Sequence, residues 1–208
     1  MFHTYNTITM INSTSSQFRE RAWSALDGRM WQAVLLTLIF VVISSAAGAL
    51  AYGALTILLL PMQYAFTVAF LRMIRGEKEL EAADLFTVYR DQFERSFLVE
   101  LLMNIYIFLW MLLLIVPGIV KSYSYAMAPY LMHDHPEMTA SQAIDGSMRL
   151  MEGNKMRLFM LDLSFIGWWL LCLITFGLLL FIVCPYQMTA RAEFYRELID
   201  EKSSAEAL

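Results

Sequence analysis

The sequence predicts an all-α membrane protein with about six transmembrane helices, arranged as three helical hairpins and accompanied by amphipathic helices at the cytoplasmic interface. Hydrophobic residues make up 59% of the chain and charged residues 16%, whereas soluble domains are usually about half apolar and a quarter charged. The apolar residues are gathered into long runs, such as residues 33–44 and 101–120. About 20 such residues in a helix cross the hydrocarbon of a bilayer, and lipid offers no partner to an open backbone.

The runs divide the chain into one polytopic membrane domain, residues 17–199, between a disordered N-terminal segment, residues 1–16, and a flexible tail, residues 200–208. The fourth run is short and polar, so it either spans the membrane behind its neighbours or re-enters on the same side. The six predicted spans are residues 31–50, 54–74, 97–116, 119–132, 156–174 and 178–195.

Three prolines lie within or between the predicted spans. Pro61 is expected to kink the second span, since neighbouring helices can satisfy the carbonyl that a proline leaves free, and Pro185 is expected to lie inside the sixth span. Pro117 and Gly118 predict the turn between the third and fourth spans.

The sequence also contains a short internal repeat, which we call the Pro-x-Gln echo. The segment Pro61-Met-Gln is followed by a phenylalanine and an arginine, and Pro185-Tyr-Gln is followed by the same two residue types at the same offsets. Both copies lie on the returning helix of a predicted hairpin. The echo therefore favours three hairpins of related design.

Three segments have helical periodicity but too much charge to span. Residues 17–26 place Phe18, Ala22 and Leu26 on one face. Residues 84–95 are expected to begin with Asp84 as the helix cap. Residues 139–152 begin with the capping-box pattern Thr139-Ala-Ser-Gln. We expect all three helices to lie along the cytoplasmic surface of the membrane.

The distribution of basic residues predicts the orientation. Of the fifteen lysines and arginines, only Lys121 lies nearer the opposite side of the six-span arrangement. The positive-inside rule then places both termini in the cytoplasm. The fourteen basic residues on the cytoplasmic side are Arg19, Arg21, Arg29, Arg72, Arg75, Lys78, Arg90, Arg95, Arg149, Lys155, Arg157, Arg191, Arg196 and Lys202.

A long stretch of the sequence resembles a known bacterial family. The residues that carry the resemblance are VPGIVKSYSYAMAPYLMHDHPEMTASQAIDGSMRLMEGNKMRLFMLDLSFIGWWLL, with RAWSALDGRMWQAV, FLRMIRGE and PYQMTARAEFYREL outside that stretch. They resemble the bacterial integral-membrane family known as domain of unknown function family 975, from about residue 17 to residue 198. The hairpin pattern is also similar to the membrane domain attached to some glycerophosphodiester phosphodiesterases. The resemblance implies a bacterial inner-membrane protein and supplies no established activity.

Composition and motifs argue against several functions. A net charge of −4 argues against a nucleic-acid partner, which would require a basic face. No nucleophile motif, zinc-protease motif or phosphate-binding glycine loop occurs, so the sequence predicts neither an enzyme nor a cofactor. His133, Asp134, His135 and Glu137 could hold a metal, but a structural zinc site needs four well-placed ligands. We interpret them as a solvated loop.

Three ionisable residues, Glu100, Asp162 and Arg191, are predicted to share a depth in the membrane, and Asn104 lies one turn beyond Glu100 in the same predicted polar cluster. Ionisable groups in a bilayer tend to pair or to face water. They could therefore form an inner-leaflet pocket for a lipid head group or ion, or a structural ion pair that fixes helix register; we favour the ion pair. Lys121 is equally compatible with an outer-side lipid contact and with a side chain that extends to the interface.

Two functions follow. The first is a non-enzymatic protein of the bacterial cytoplasmic (inner) membrane, acting as a scaffold, accessory or envelope-homeostasis factor through helix packing and lipid contacts. The alternative is a small transporter or lipid-handling protein that uses the polar pocket. Membrane lipids are the expected partners, together with a second membrane protein or another copy of the chain. A water-accessible cavity would favour the alternative, and a filled core the scaffold.

Overall fold

The computed structural model describes the backbone of residues 13–50 and 54–206, and the side chains of residues 13–47 and 57–204. Within these ranges the chain forms eleven α-helices and no strand. A 3₁₀ helix, Ala54–Leu59, precedes α3. The α-helices are α1 (Ser15–Leu26), α2 (Met30–Leu50), α3 (Leu60–Ile74), α4 (Asp84–Asp91), α5 (Phe93–Leu113), α6 (Ile115–Tyr125), α7 (Ala128–Asp134), α8 (Ala140–Leu150), α9 (Lys155–Leu163), α10 (Ile166–Ile174) and α11 (Leu180–Glu206).

Four helical stretches in the described part of the chain are long and apolar enough to cross a membrane. They are Met30–Ala47, Ile57–Ile74, Phe93–Leu113 and Lys155–Ile174, which correspond to the first, second, third and fifth predicted spans. The prediction of an all-α membrane protein is thus supported, but six spans and three hairpins are not confirmed.

The other two predicted spans differ for physical reasons. Residues 119–132 fall on two short helices, α6 and α7, because the chain turns at residues 126–127. The predicted span 178–195 lies on α11, which begins only at Leu180 and continues far beyond residue 195. Its first 18 residues therefore already include four charged side chains, at positions 191, 193, 196 and 197.

The helix α1 packs along α11 and contributes to the main core. Its predicted apolar face is confirmed, since Phe18, Ala22 and Leu26 are all buried, and the Phe18 ring meets Phe194 edge-on at 5.3 Å between centroids. Trp23, on the other side, is half exposed. The helix begins at Ser15, inside the segment predicted to be disordered; residues 1–12 of that segment lie outside the described residues.

Two of the three proline predictions were wrong in detail. Pro61 does not kink a continuous span: it lies in the first turn of α3, directly after the 3₁₀ helix. The break between the third and fourth runs falls at Leu114, whose backbone is extended (φ −160°, ψ 136°), and Pro117 lies in the first turn of α6. A proline is favoured in a first turn because its missing N–H has no helical acceptor there. Pro185 does lie inside α11.

The two charged amphipathic segments form helices, with one error in the predicted caps. Thr139 and Gln142 make the predicted capping box, in which Gln142 accepts the Thr139 N–H at 2.8 Å. Asp84 is not a cap: it is the first residue of α4, and its carboxylate accepts from Lys78 Nζ. Residues 200–206, predicted as a flexible tail, continue α11 as helix.

Close packing of α6 against α5 depends on Gly118. A β-carbon at this position would lie 2.6 Å from Met111 Cγ and 2.9 Å from Met111 Cα. The second of these atoms belongs to the backbone, so it can move only if the two helices separate.

We therefore expect Gly118→Ala to lower the free energy of unfolding by about 1–3 kcal/mol, as over-packing does elsewhere. Gly167→Ala is the matched control, because it is also helical and its β-carbon would meet nothing within 4 Å. This control should be neutral or stabilising, since alanine favours helix over glycine. Thermal unfolding in detergent measures both variants, and an equal response of the two would show that the α5–α6 approach is not tight.

Candidate functional site

A cavity of about 350 Å³ lies between α3, α5, α6, α7 and α11. Volumes of this order hold a small ligand. Its walls combine a carboxylate, a guanidinium, an amide, hydroxyls and tyrosine rings with apolar side chains. The lining residues are Gln63, Thr67, Glu100, Met103, Ile119, Ser122, Tyr123, Ala126, Pro129, Tyr130, Met188 and Arg191.

Glu100 is the most unusual group in this cavity. It lies on α5 within a candidate membrane span and is only 5% exposed. In the part of the chain that the structure describes, its carboxylate makes no ion pair and no hydrogen bond. A charge buried in this way is costly unless it is paired or faces water. A charged Glu100 carboxylate therefore needs water or a ligand in the cavity to stabilise it.

A second cavity of about 380 Å³ adjoins the first. It is bounded by α2, the end of the 3₁₀ helix, α3 and α5, and it shares Gln63, Glu100 and Met103 with the first cavity. Glu100 thus stands where the two spaces meet. Among the described residues that line the second cavity, it is the only ionisable one.

The structure brings Asp162 and Arg191 together. Arg191 donates from Nε to Asp162 Oδ1 at 3.0 Å and from Nη2 to Asp162 Oδ2 at 2.6 Å, which is the two-bond geometry that guanidinium and carboxylate favour. Gln187 adds a third donor to Oδ1 at 3.0 Å. Arg191 is therefore neutralised by Asp162, and Glu100 lines the same cavity without joining the pair.

Asn104 and Lys121 lie apart from this pair. Asn104 is exposed and donates to the Glu100 carbonyl of its own helix at 2.8 Å, while lining the second cavity. The Lys121 ammonium lies 5.0 Å from the centroid of the Trp110 ring and 5.9 Å from that of Tyr125. Lys121 thus packs against aromatic faces of α5 and α6, which is favourable for a cation.

Asp134 connects α7 to two other helices. Arg75 donates to it through both Nη atoms, with Nη2 at 2.8 Å from Oδ2, and the Tyr195 hydroxyl donates to Oδ2 at 2.6 Å. Burial alone would raise the pKa of the Asp134 carboxyl, but these hydrogen bonds and the charge of Arg75 outweigh it and hold the pKa below its usual range. The same hydrogen bond with Asp134 raises the pKa of Arg75.

The interpretation of residues 133–137 as a solvated loop was therefore wrong for its first two residues. Asp134 ends α7 and is tied to Arg75 and Tyr195, and His133 Nε2 lies 3.4 Å from Arg72 Nε. His135 and Glu137 are exposed, as a loop requires.

Glu197 is a further buried carboxylate that the sequence analysis missed. It accepts from the Ser13 N–H at 2.9 Å, from Arg21 at 2.8 Å and from Arg157 at 2.7 Å, and so fastens α1 and α9 to α11. Its spacing from the buried residues Ala190 and Phe194 on α11 is the signal that could have placed it on an internal face.

Gln63 and the tyrosines of the cavity were also not singled out as site residues. For Gln63 a signal existed in the Pro-x-Gln echo: Gln63 lines the cavity and its counterpart Gln187 donates to Asp162. The echoed phenylalanines, Phe70 and Phe194, are both fully buried. For the tyrosines, composition gave no means of telling a cavity wall from ordinary core.

Comparison with known proteins supports a family without a described activity. Residues 111–202 match the family model "Protein of unknown function (DUF975)". The match covers the end of α5 and then α6 to α11 apart from the last residues of α11, and it leaves α1 to α4 and most of α5 outside. No curated protein matches the chain. No solved structure matches it. The similarity to a phosphodiesterase-linked membrane domain is not confirmed.

Proposed function

For a chain whose residues 111–202 match the DUF975 family model, we propose a non-enzymatic protein of the bacterial cytoplasmic membrane that binds a small polar ligand, such as a lipid head group, in the cavity beside Glu100. Four helices long and apolar enough to span a bilayer support the membrane setting. The observation that carries the proposal is the buried carboxylate of Glu100, which lines the cavity and has no partner among the described residues.

The proposed orientation places both termini in the cytoplasm. It rests on the six predicted spans, which would place fourteen of the fifteen lysines and arginines on one side. Arg75 pairs with Asp134 just beyond the end of α3, and Arg157 pairs with Glu197 two residues into α9. Such charged networks suit the polar end of a helix bundle.

The cavity favours ligand binding over a purely structural scaffold. A scaffold that works through helix packing gains nothing from an unpaired buried carboxylate, and natural interiors rarely leave one. The Asp162–Arg191 pair, by contrast, fits the structural role that we expected for it, since each charge satisfies the other. The two hypotheses therefore apply to different residues: the pair stabilises the bundle, and Glu100 serves the cavity.

A substitution that fills the cavity with a larger side chain tests this proposal. Ser122 lines it, and its hydroxyl donates only to the Ile119 carbonyl of its own helix, at 2.7 Å. We expect Ser122→Trp to fold and to lose the lipid or small molecule that wild-type protein retains through purification, because the indole occupies the ligand volume. Native mass spectrometry of the detergent-solubilised protein measures the retained mass.

Ser203→Trp is the matched control. Ser203 also donates to a carbonyl of its own helix, Ile199 at 2.9 Å, but it is exposed near the end of α11. It should retain the adduct at the wild-type level. A wild-type protein without an adduct, whose stability does not respond to added lipids and is unchanged by Ser122→Trp, would instead favour the scaffold.

A further inference from the structure

We infer that the ligand of this cavity carries a positively charged amine, which Glu100 binds through its carboxylate. The inference rests on the proposed function and specifies the chemical class of ligand.

Charge is the first argument. The first cavity is lined by two ionisable residues of opposite sign apart from its tyrosines, Glu100 and Arg191. Arg191 is already neutralised by the two bonds that it makes to Asp162. In the second cavity, Glu100 is the only charged residue among the described residues of the lining. When Glu100 is ionised, the space around it has one uncompensated negative charge, and a bound cation is the complement that stabilises the ionised form.

Hydrogen-bonding capacity is the second argument. Ser122 donates its hydroxyl proton to Ile119 O, and Thr67 donates its own to Gln63 O at 3.0 Å. With their protons engaged in their own helices, these hydroxyls can offer only lone pairs to a ligand. The Gln63 side chain adds a carbonyl oxygen as well as an amide NH2 group, and the Tyr123 and Tyr130 rings line the same cavity. Acceptors and aromatic faces suit an ammonium group, which has three donors and no acceptor.

A metal ion fits this site less well. Calcium takes six to eight oxygen ligands, and magnesium requires near-octahedral coordination. Within the described residues, no group of three or more histidine, cysteine, aspartate or glutamate side chains is placed to hold a metal. A single carboxylate with neutral acceptors around it is better matched to one monovalent organic cation.

A ligand with such an amine has two possible sources, the lipid bilayer and the aqueous phase. It could be the head group of phosphatidylethanolamine, entering from the lipid, or a free primary amine, entering from water. Both share the same ammonium chemistry at Glu100, so the experiment must separate the two sources.

The test compares wild type, Glu100→Gln and Glu94→Gln in nanodiscs that contain either phosphatidylethanolamine or phosphatidylglycerol in an inert lipid background. Glu94 is the matched control because it lies on the same helix and is exposed. Native mass spectrometry counts bound lipids. We expect wild type and Glu94→Gln to prefer phosphatidylethanolamine, and Glu100→Gln to bind it about thirtyfold or more weakly, as loss of one member of a buried charge pair predicts.

Soluble probes test the wild type without any substitution. Ethanolamine should compete with or replace the bound species, and N-acetylethanolamine, which has the same skeleton without the charge, should not. If ethanolamine binds in lipid-free detergent and displaces phosphatidylethanolamine, the source is aqueous. If phosphatidylethanolamine binds and ethanolamine does not displace it, the source is the membrane.

The outcomes separate the inference from the proposed function. Equal binding of the two lipids, with no effect of Glu100→Gln and no preference for ethanolamine over its acetylated form, would overturn the amine and leave a cavity that binds some other ligand. Absence of all binding, together with identical behaviour of wild type and Ser122→Trp, would overturn both. If Glu100→Gln does not fold, the preference of wild type for phosphatidylethanolamine over phosphatidylglycerol, together with the two soluble probes, still decides.

Discussion

Replacing Arg191 by alanine is expected to cause the largest loss of stability among the substitutions considered. Arg191 makes two hydrogen bonds to Asp162, whose side chain is 13% exposed. Removal of one partner from a buried ion pair typically costs about 3–5 kcal/mol, because the other charge is left without compensation. The Arg191 side chain is 31% exposed, so we expect about 3 kcal/mol, measured by thermal or denaturant unfolding in detergent.

The double variant isolates the interaction. Asp162→Asn removes the orphaned charge and keeps an oxygen that can accept from Gln187, so Arg191→Ala with Asp162→Asn should be more stable than Arg191→Ala alone. A double-mutant cycle gives the coupling energy directly. A coupling near zero would mean that the two side chains do not interact in the folded protein, and the pair would lose its structural role.

Asp134 provides the second large effect, and this one depends on pH. Asp134→Asn removes the negative charge to which Arg75 and Tyr195 donate hydrogen bonds. We expect the free energy of unfolding at pH 7 to fall by about 2–3 kcal/mol, less than for a fully buried pair. The pKa of Asp134 is lower in the folded protein than when unfolded. Its contribution is therefore fully present above the unfolded pKa, about 4, and is lost as pH falls through the folded pKa.

The difference in stability between wild type and Asp134→Asn should accordingly be large at pH 7 and shrink below about pH 4. Asp91→Asn is the control, because Asp91 pairs with its neighbour Arg90 at an exposed site. Solvent screens an exposed pair of this kind, so it contributes little to stability, and this variant should change little at any pH. A pH-independent effect of Asp134→Asn would show that Asp134 acts through packing rather than through its charge.

Much of the fold was predictable because it follows from the bilayer and from helical periodicity. Apolar runs identified the four helical stretches that could span a membrane. Spacing alone identified the buried face of α1, and the pattern Thr139-x-x-Gln142 located the start of α8. These features depend on residues near one another in sequence, so local rules suffice.

The errors occurred where contacts between residues distant in sequence determine the local structure. Pro61 and Pro117 are compatible with either a kink or a first turn, and only the packing of the adjacent helices selects the first turn. For the candidate site, equal depth correctly suggested that Arg191 would meet a carboxylate. Depth could not show that Arg191 Nε and Nη2 both donate to Asp162 while Glu100 remains unpaired. That outcome depends on the rotation of each helix about its own axis.

The same reason explains why the polar contacts of α11 were missed. Glu197 meets Ser13 and Arg21 from the opposite end of the chain, and Tyr195 meets Asp134 across 61 residues. Contacts of this separation leave no periodic signature in a single sequence. What the sequence does show is that α11 carries charged side chains within an otherwise apolar protein, and such residues need partners.

The most direct measurement of the central claim is the reactivity of a cysteine placed beside Glu100. Gln63 borders both cavities, so Gln63→Cys, with Cys172 and Cys184 replaced by alanine, reports whether water and charge reach this point. We expect it to react about tenfold faster with a cationic thiosulfonate than with an anionic one, because a negative cavity concentrates cations. Adding Glu100→Gln should bring the two rates together. An unreactive cysteine, or equal rates with Glu100 intact, would contradict the account.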